Sequence, residues 1–371
     1  MDLVESAAPT VTAMPSSSRQ IGLDVARAIA VLGMLFAHFA SDQLDGASGW
    51  SVSVARFNDG RAMPLFVMLS GVGFVLLLKR SARPTREVCG RAMVLLLIGL
   101  AFDYTTPIAV ILQFYALFFV MALLARRLPN RGLLTAAAVT VIVGATTALH
   151  LNDHLPVAFD RVSDSAETWG ALALLLQPHV LLSELFFTGV YAFFPNFAFV
   201  LMGMWIGRQD LSSKRLRRGL MLVGVSMAIV GYGSGWFTVS HRLVGEDGGR
   251  SLRGWWELLD VHGHSQMPAW MIAAGGLAMA VIGASLVAVD SFRRGFGPLA
   301  NLGQLALTLY VAQIALWRWP MKHWPWGFSQ TQETGLTVAA FAACIVVSVL
   351  WRRWFTHGPL EQLLRKAGGR R

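Results

Sequence analysis

The chain has 371 residues, of which 55% are hydrophobic and only 14% charged, and its formal net charge is +10. Its mean hydropathy is +0.54. Charge this sparse excludes a soluble globular enzyme of this length. The basic excess does not indicate nucleic-acid binding, because the Lys and Arg residues sit in short clusters between apolar runs, as they do in the inner loops of membrane proteins. Repeated apolar stretches of about 18 or more residues specify an all-α, polytopic membrane protein. Cys89 and Cys344 are the only cysteines and fall in or beside expected spans, so no disulfide framework is implied.

Residues 1–20 are polar, Ser-rich and Pro-containing, and read as a disordered cytoplasmic tail rather than a signal peptide. Ten spans follow, at 22–40, 62–78, 92–108, 110–125, 132–149, 191–207, 219–237, 269–289, 299–317 and 335–352. They make one transmembrane domain over 21–360, closed by a basic tail at 361–371. Most of the 31 basic residues fall on one set of alternate connections, and the other set keeps Arg56, Arg61, Arg161, Arg242, Arg250, Arg253, Arg318 and Lys322. The positive-inside rule therefore predicts both termini in the cytoplasm. The apolar stretch 170–190 holds Pro178, His179 and Glu184 and is expected to be re-entrant or interfacial.

The first span, IGLDVARAIAVLGMLFAHFA at 21–40, organises the rest. Its length as a helix is roughly 30 Å, one hydrocarbon core, yet it carries Asp24, Arg27 and His38. Arg27 and His38 are eleven residues apart, which returns them to nearly one face at a separation of roughly 16 Å. Charged groups in a span face protein or water, so this face is the first candidate for an active site. Asp24 pairs with Arg27 at i,i+3, and Arg27 has the planar fork that suits phosphate or carboxylate. His38 is a candidate general base, and Asp42, four residues on, a candidate for orienting it.

Arg80, Arg83 and Arg86 after the second span are read either as positive-inside residues or as contacts for a multiply charged ligand. On the outer side, Arg61 is a candidate for binding an anionic acceptor or for pairing with Asp59. Gln113 and Tyr115 on the fourth span serve either as a substrate surface or as glue between helices. His264 and Ser265 stand at the mouth before the eighth span and are expected to line an acceptor site; with Asp260 and His262 they make a weak metal signal, and no metal is expected. The ninth span bears a polar stripe of Gln304, Thr308, Tyr310 and Gln313.

Several blocks carry a family resemblance. Arg27, ten residues, then His38 resembles the signature of acyltransferase family three, as do the Arg80–Arg83 and Arg83–Arg86 spacings. The blocks IGLDVARAIAVLGMLFAHF, FNDGRAMPLFVMLSGVGF, ILQFYALFFV, FFTGVYAFFPNFAFVLMGMWIGRQDL, DVHGHSQMP, FGPLANLGQLALTLYVAQ and HGPLEQLLR resemble, in order, the YeiB-like bacterial inner-membrane proteins. The chain also resembles the heparan-alpha-glucosaminide N-acetyltransferases. It departs from these last in having His38 where they place an asparagine, and in lacking their histidine in the following loop, here SDQLDGASGW.

The resemblance implies a ten-helix transmembrane acyltransferase. It would take acyl, by default acetyl, from acyl-CoA in the cytoplasm and pass it to a sugar or glycan at the outer face of a bacterial inner membrane. Catalysis would involve His38, Arg27 and Asp42; Arg80, Arg83 and Arg86 would hold CoA; Arg61, His264, Ser265, Gln113 and Tyr115 would face the acceptor. Its partners would be membrane lipid and the glycan or lipid-linked sugar, with self-association left open. A transporter or flippase of a lipid-linked sugar or small anion, without CoA chemistry, is the second reading.

Overall fold

A computed structural model describes residues 17–39, 49–103, 110–154, 186–187, 191–240, 254–323 and 329–369. Among these residues the chain is helical throughout, without a strand. The helices are α1 (Ser17–Phe39), α2 (Trp50–Asn58), α3 (Ala62–Arg80), α4 (Pro84–Asp103), α5 (Leu112–Ala125), α6 (Asn130–His154), α7 (Phe193–Arg208) and α8 (Lys214–Ser240). They continue as α9 (Pro268–Ser291), α10 (Gly297–Gln304), α11 (Ala306–His323), α12 (Gln330–Trp354) and α13 (Pro359–Ala367), with a short 3-10 helix at Gly254–Leu259 before α9.

The ten stretches expected as spans all overlap helices. Among the described residues, five windows have the length and hydropathy to cross a membrane: Ile21–Phe39, Trp50–Arg80, Lys214–Thr238, Pro268–Ser291 and Gln330–Trp354. Leu112–Ala125 and Ala306–Ala315 are shorter apolar helices. The expected re-entrant stretch 170–190, including Glu184, lies outside the described residues except for 186–187.

α1 is the central rod. It packs against α3, α9 and α10 and touches α2, α11 and α12. Small side chains make this possible: Ala26, Ala28 and Ala30 are completely buried, and the approach of α10 leaves no room for a Cβ at Gly303, which would stand 1.7 Å from the carbonyl oxygen of Asp24. The same device joins α3 to α7, where a Cβ at Gly203 would meet the Met68 carbonyl at 2.0 Å and one at Gly71 would meet that of Val200 at 2.2 Å. Close packing through small residues is the usual means of holding helices together where apolar burial has no advantage over lipid.

The outer helices are inverted relative to a soluble protein. α8 exposes Leu222, Val223, Ile229, Val230 and Trp236, and α12 exposes Val338, Val346, Val347 and Trp354. Lipid satisfies such faces. Charged groups turn inward instead: Glu87 and Arg217 are both nearly fully buried, the first paired with Arg91 at 2.7 Å and the second paired with Asp290.

The expected ninth span is broken. α10 ends at Gln304, Leu305 makes a turn, and α11 starts at Ala306 with a carboxylate at its first turn. Glu361 of α13 accepts from the Leu307 and Thr308 amides at 2.9 and 3.1 Å and from the Thr308 hydroxyl at 2.5 Å. Free amides and partial positive charge at a helix start suit a carboxylate. α13 also lies against α4, with Gly90 directly under the Ala367 carbonyl. Residues 361–367, expected as the start of a basic tail, thus belong to a packed helix.

Candidate functional site

The face of α1 predicted to carry chemistry does turn into the bundle, and its two ends differ. At the Arg27 end, Asp24 is buried and pairs with Arg27 one turn along. Gln304 at the end of α10 donates to the second oxygen of Asp24 at 3.1 Å. A cavity of about 220 Å³ opens beside this pair. Arg27, Arg80 and Arg91 line it together with Asp24, over a floor of Leu23, Gly73, Leu76 and Leu77. Gly73 keeps the floor low, since the nearest group to a Cβ there would be the Arg27 guanidinium at 3.7 Å. Three guanidiniums over an apolar floor, two of them already steadied by Asp24 and Glu87, make a preset anion-binding surface.

The predicted arginine trio does not act as one group. Arg80 lines the cavity. Arg83 and Arg86 are exposed on the turn into α4, and neither is among the cavity's lining residues. Arg91 takes the place expected for them. It lies in the second turn of α4, where the Glu87 pair at i,i+4 steadies it. The sequence signal was available: a Glu and an Arg at that spacing inside an apolar helix need a reason to be there.

At the other end, His38 is half-buried and faces protein rather than lipid. Its Nδ1 lies 3.3 Å from Gln313 Nε2 on α11. Phe39 and Tyr310 flank the ring, each with centroids at 6.1 Å. Tyr310 in turn lies tilted against Phe66, and Phe66 meets Tyr115 edge-on. The Tyr115 hydroxyl is buried beside Ser70. The residue expected to orient His38, Asp42, lies outside the described residues; the partner that the structure gives is Gln313.

His264 reaches the same end from the loop before α9. It faces His38 closely enough for the two imidazoles to interact electrostatically. Its ring stands edge-on to Tyr191 at 5.7 Å and tilted over Trp270 at 6.0 Å. Its Nδ1 is buried without a hydrogen-bond partner, as is the Trp270 indole nitrogen. The loop backbone is strained to place it: His264 has φ 62° and Gln266 φ 60°. Such conformations cost about 1–3 kcal/mol for residues with a Cβ and cluster at functional sites. Burial pushes the His264 imidazole below its usual value of 6.5, against the opposing pull of Asp59. In this loop, Asp59 packs on Gly263, and Gly60, at φ 66°, lies against the backbone of 263–264.

Other expected site residues have structural work. The Ser265 hydroxyl donates to the Asp260 carbonyl at 3.2 Å and accepts from the Met267 amide at 3.4 Å, closing its own loop. Arg61 is a clamp: Nε donates to the Tyr232 hydroxyl at 2.7 Å, Nη1 donates to the Arg56 and Phe57 carbonyls, and the guanidinium lies 4.4 Å from the Tyr232 ring centroid. Its expected partner Asp59 turns to Gly263 instead. Gln113 is two residues from Tyr115 and therefore on another face of α5. It packs at Gly99 of α4, where a Cβ would stand 2.8 Å from its carbonyl oxygen, and joins helices rather than the His38 cluster. Asp260 pairs with exposed His262 at 2.6 Å. Among the described residues no group of three or more His, Cys, Asp or Glu side chains is placed to hold a metal.

These features define a multi-pass helical membrane protein with an arginine-lined cavity at one end of its central helix and a two-histidine cluster at the other. Residues 19–237 match the family model described as heparan-alpha-glucosaminide N-acetyltransferase, catalytic. Residues 205–370 match a second, described as a protein of unknown function (DUF418). The first match spans more than half of the chain, so the chain belongs to the heparan-alpha-glucosaminide N-acetyltransferase catalytic family. No curated protein matches it. The overlap of the two matches falls on α7 and α8, so the break between them follows no structural boundary.

Proposed function

We propose that the protein is a transmembrane acetyltransferase that takes acetyl from acetyl-CoA at the Arg27 end and passes it to a sugar or glycan at the His38 end. The family match supports the reaction class. The observation that carries the assignment is that one helix presents both ends of the reaction to the interior: Arg27 in a cavity with Arg80 and Arg91, and His38 against Gln313 three turns away. Eleven residues of helix span roughly 16 Å, a distance that an extended thiol arm can cover from a phosphate-binding cavity. In this reading Arg27, Arg80 and Arg91 bind CoA phosphate. His38 takes the proton of the acceptor hydroxyl or amine as it attacks the thioester carbonyl; the C–S bond breaks, and the proton passes to the leaving thiolate. Holding donor and acceptor in line supplies much of the rate.

The basic residues at the Arg27 end favour a cytoplasmic placement of that end, and His38 then faces the outer side of a bacterial inner membrane. Ten spans with both termini inside fit this arrangement. Membrane lipid surrounds the protein, and a glycan or lipid-linked sugar is its acceptor.

The test is incubation of the purified, reconstituted protein with labelled acetyl-CoA and candidate glycans. Label is expected on the acceptor, and His38→Ala should abolish its appearance without unfolding the protein. Undiminished transfer by His38→Ala removes His38 from the chemistry, and CoA-independent passage of substrate across the vesicle wall replaces the enzyme by a transporter.

A further inference from the structure

An imidazole serves as a base only through a nitrogen that carries no proton, so something must decide which of its two nitrogens that is. In many sites a carboxylate decides. Among the described residues no carboxylate hydrogen-bonds to His38; the group at its Nδ1 is the Gln313 side-chain amide, at 3.3 Å. The other end of that amide, drawn as Oε1, is buried with no partner. The oxygen and nitrogen of an amide are told apart only by their surroundings, and turning the group over exchanges them. Turned over, the carbonyl accepts from Nδ1–H and the amino end takes the unpartnered position. Nδ1 then holds the proton and Nε2 keeps its lone pair.

We infer that Gln313 is the positioning residue of His38: its carbonyl holds the proton on Nδ1 and leaves Nε2 as the nitrogen that receives the acceptor's proton. The choice of tautomer rests on the acetyl-transfer reading, which needs a bare Nε2; the contact between the Gln313 amide and Nδ1 does not. An amide suits a base that must be neutral before each turnover, because it orients the ring without stabilising the imidazolium as a carboxylate would. The packing agrees. Gln313 and Tyr310 stand at i,i+3 on one face of α11 and both reach the His38 ring, and α11 itself is fixed at its start by Glu361. The titratable groups around His38 are Tyr310 on α11 and His264 on the loop before α9, with Asp59 behind His264.

Two measurements decide it. In protein labelled with nitrogen-15 histidine, the His38 signals, assigned by their loss in His38→Ala, should show a protonated Nδ1 and a bare Nε2, and Gln313→Leu should mix the tautomers. A protonated Nε2 in the unaltered protein overturns the inference, with or without any activity. In the transfer assay, Gln313→Leu should lower kcat at least about tenfold with KM for acetyl-CoA unchanged. Gln313→Glu should restore orientation and move the acid limb of the pH–rate profile about 1–3 units higher, since a carboxylate now faces the imidazole. Loss of transfer in His38→Ala with an unmoved profile in Gln313→Glu overturns the role of Gln313 alone. Full transfer by His38→Ala overturns the acetyl-transfer role of His38 while leaving the spectroscopic result standing.

Discussion

Gly303 and Asp24 meet backbone to backbone, so closely that α10 rests on α1 with no side chain between them. That approach is what lets Gln304, the next residue, reach the Asp24 carboxylate. Gly303→Ala must push the helices apart. Overpacking of this kind costs about 1–3 kcal/mol. The variant should melt at lower temperature and bind CoA more weakly, because the Asp24–Arg27 pair loses its third member. Equal melting and equal CoA affinity would show that the contact is dispensable.

The arginines separate into two groups. Arg27→Gln, Arg80→Gln and Arg91→Gln each remove a guanidinium from the cavity, and Arg83→Gln and Arg86→Gln remove exposed charges outside it. A hydrogen bond to a charged group contributes about 1.5–3 kcal/mol, so each of the first three should weaken CoA roughly ten- to a hundredfold. The last two should change it less than about twofold. Titration calorimetry on the reconstituted protein distinguishes them.

Glu361 should matter although it is far from His38 in sequence. Glu361→Gln loses the charge that caps α11, and Glu361→Ala loses the cap entirely. The expected loss for the alanine variant is about 0.5–2 kcal/mol of stability. It should also raise the amide exchange of Leu307 and Thr308, which hydrogen–deuterium exchange would detect.

The Asp260–His262 pair gives a pH signature. The hydrogen bond to the Asp260 carboxylate raises the His262 imidazole above its usual 6.5. Burial alone would raise Asp260, but the hydrogen bonds from His262 prevail and hold it below its usual 3.8. A raised histidine stabilises below its unfolded pKa, and the benefit disappears as pH climbs through the folded value. A lowered aspartate stabilises above its unfolded pKa, and the benefit disappears as pH falls through the folded value. The pair therefore supports the loop from about pH 4 to 6.5, and the support fades above that. Because His262 is exposed, the effect is small. The melting temperature of the unaltered protein minus that of His262→Gln should be positive at pH 5.5 and close to zero by pH 9.

The helices and the importance of α1 were legible in the sequence, because apolar run length and three polar residues on one face are local signals. The inward placement of Arg27 and His38 was legible for the same reason. What escaped was set by contacts between distant segments. Arg91 was one basic residue in a run of five until Glu87 and the cavity gave it a place. Arg61 was read as an acceptor contact or a partner of Asp59 because its actual partner, Tyr232, is 171 residues away. Gln113 and Tyr115, two residues apart, looked like one surface and lie on different faces. Gln313 was one residue of a polar stripe, and only its distance to His38 singles it out. The break at Leu305 was hidden because the carboxylate that makes it tolerable belongs to α13.

That carboxylate has one more effect. A helix that starts inside a bilayer protein offers loose amide hydrogens to any anion that wanders in, phosphate or acetate alike. Here the vacancy is filled from within, by the Glu361 carboxylate. The start of α11 is thereby closed to a competing anion, a turn away from the Gln304 amide that holds Asp24 beside the arginine-lined cavity.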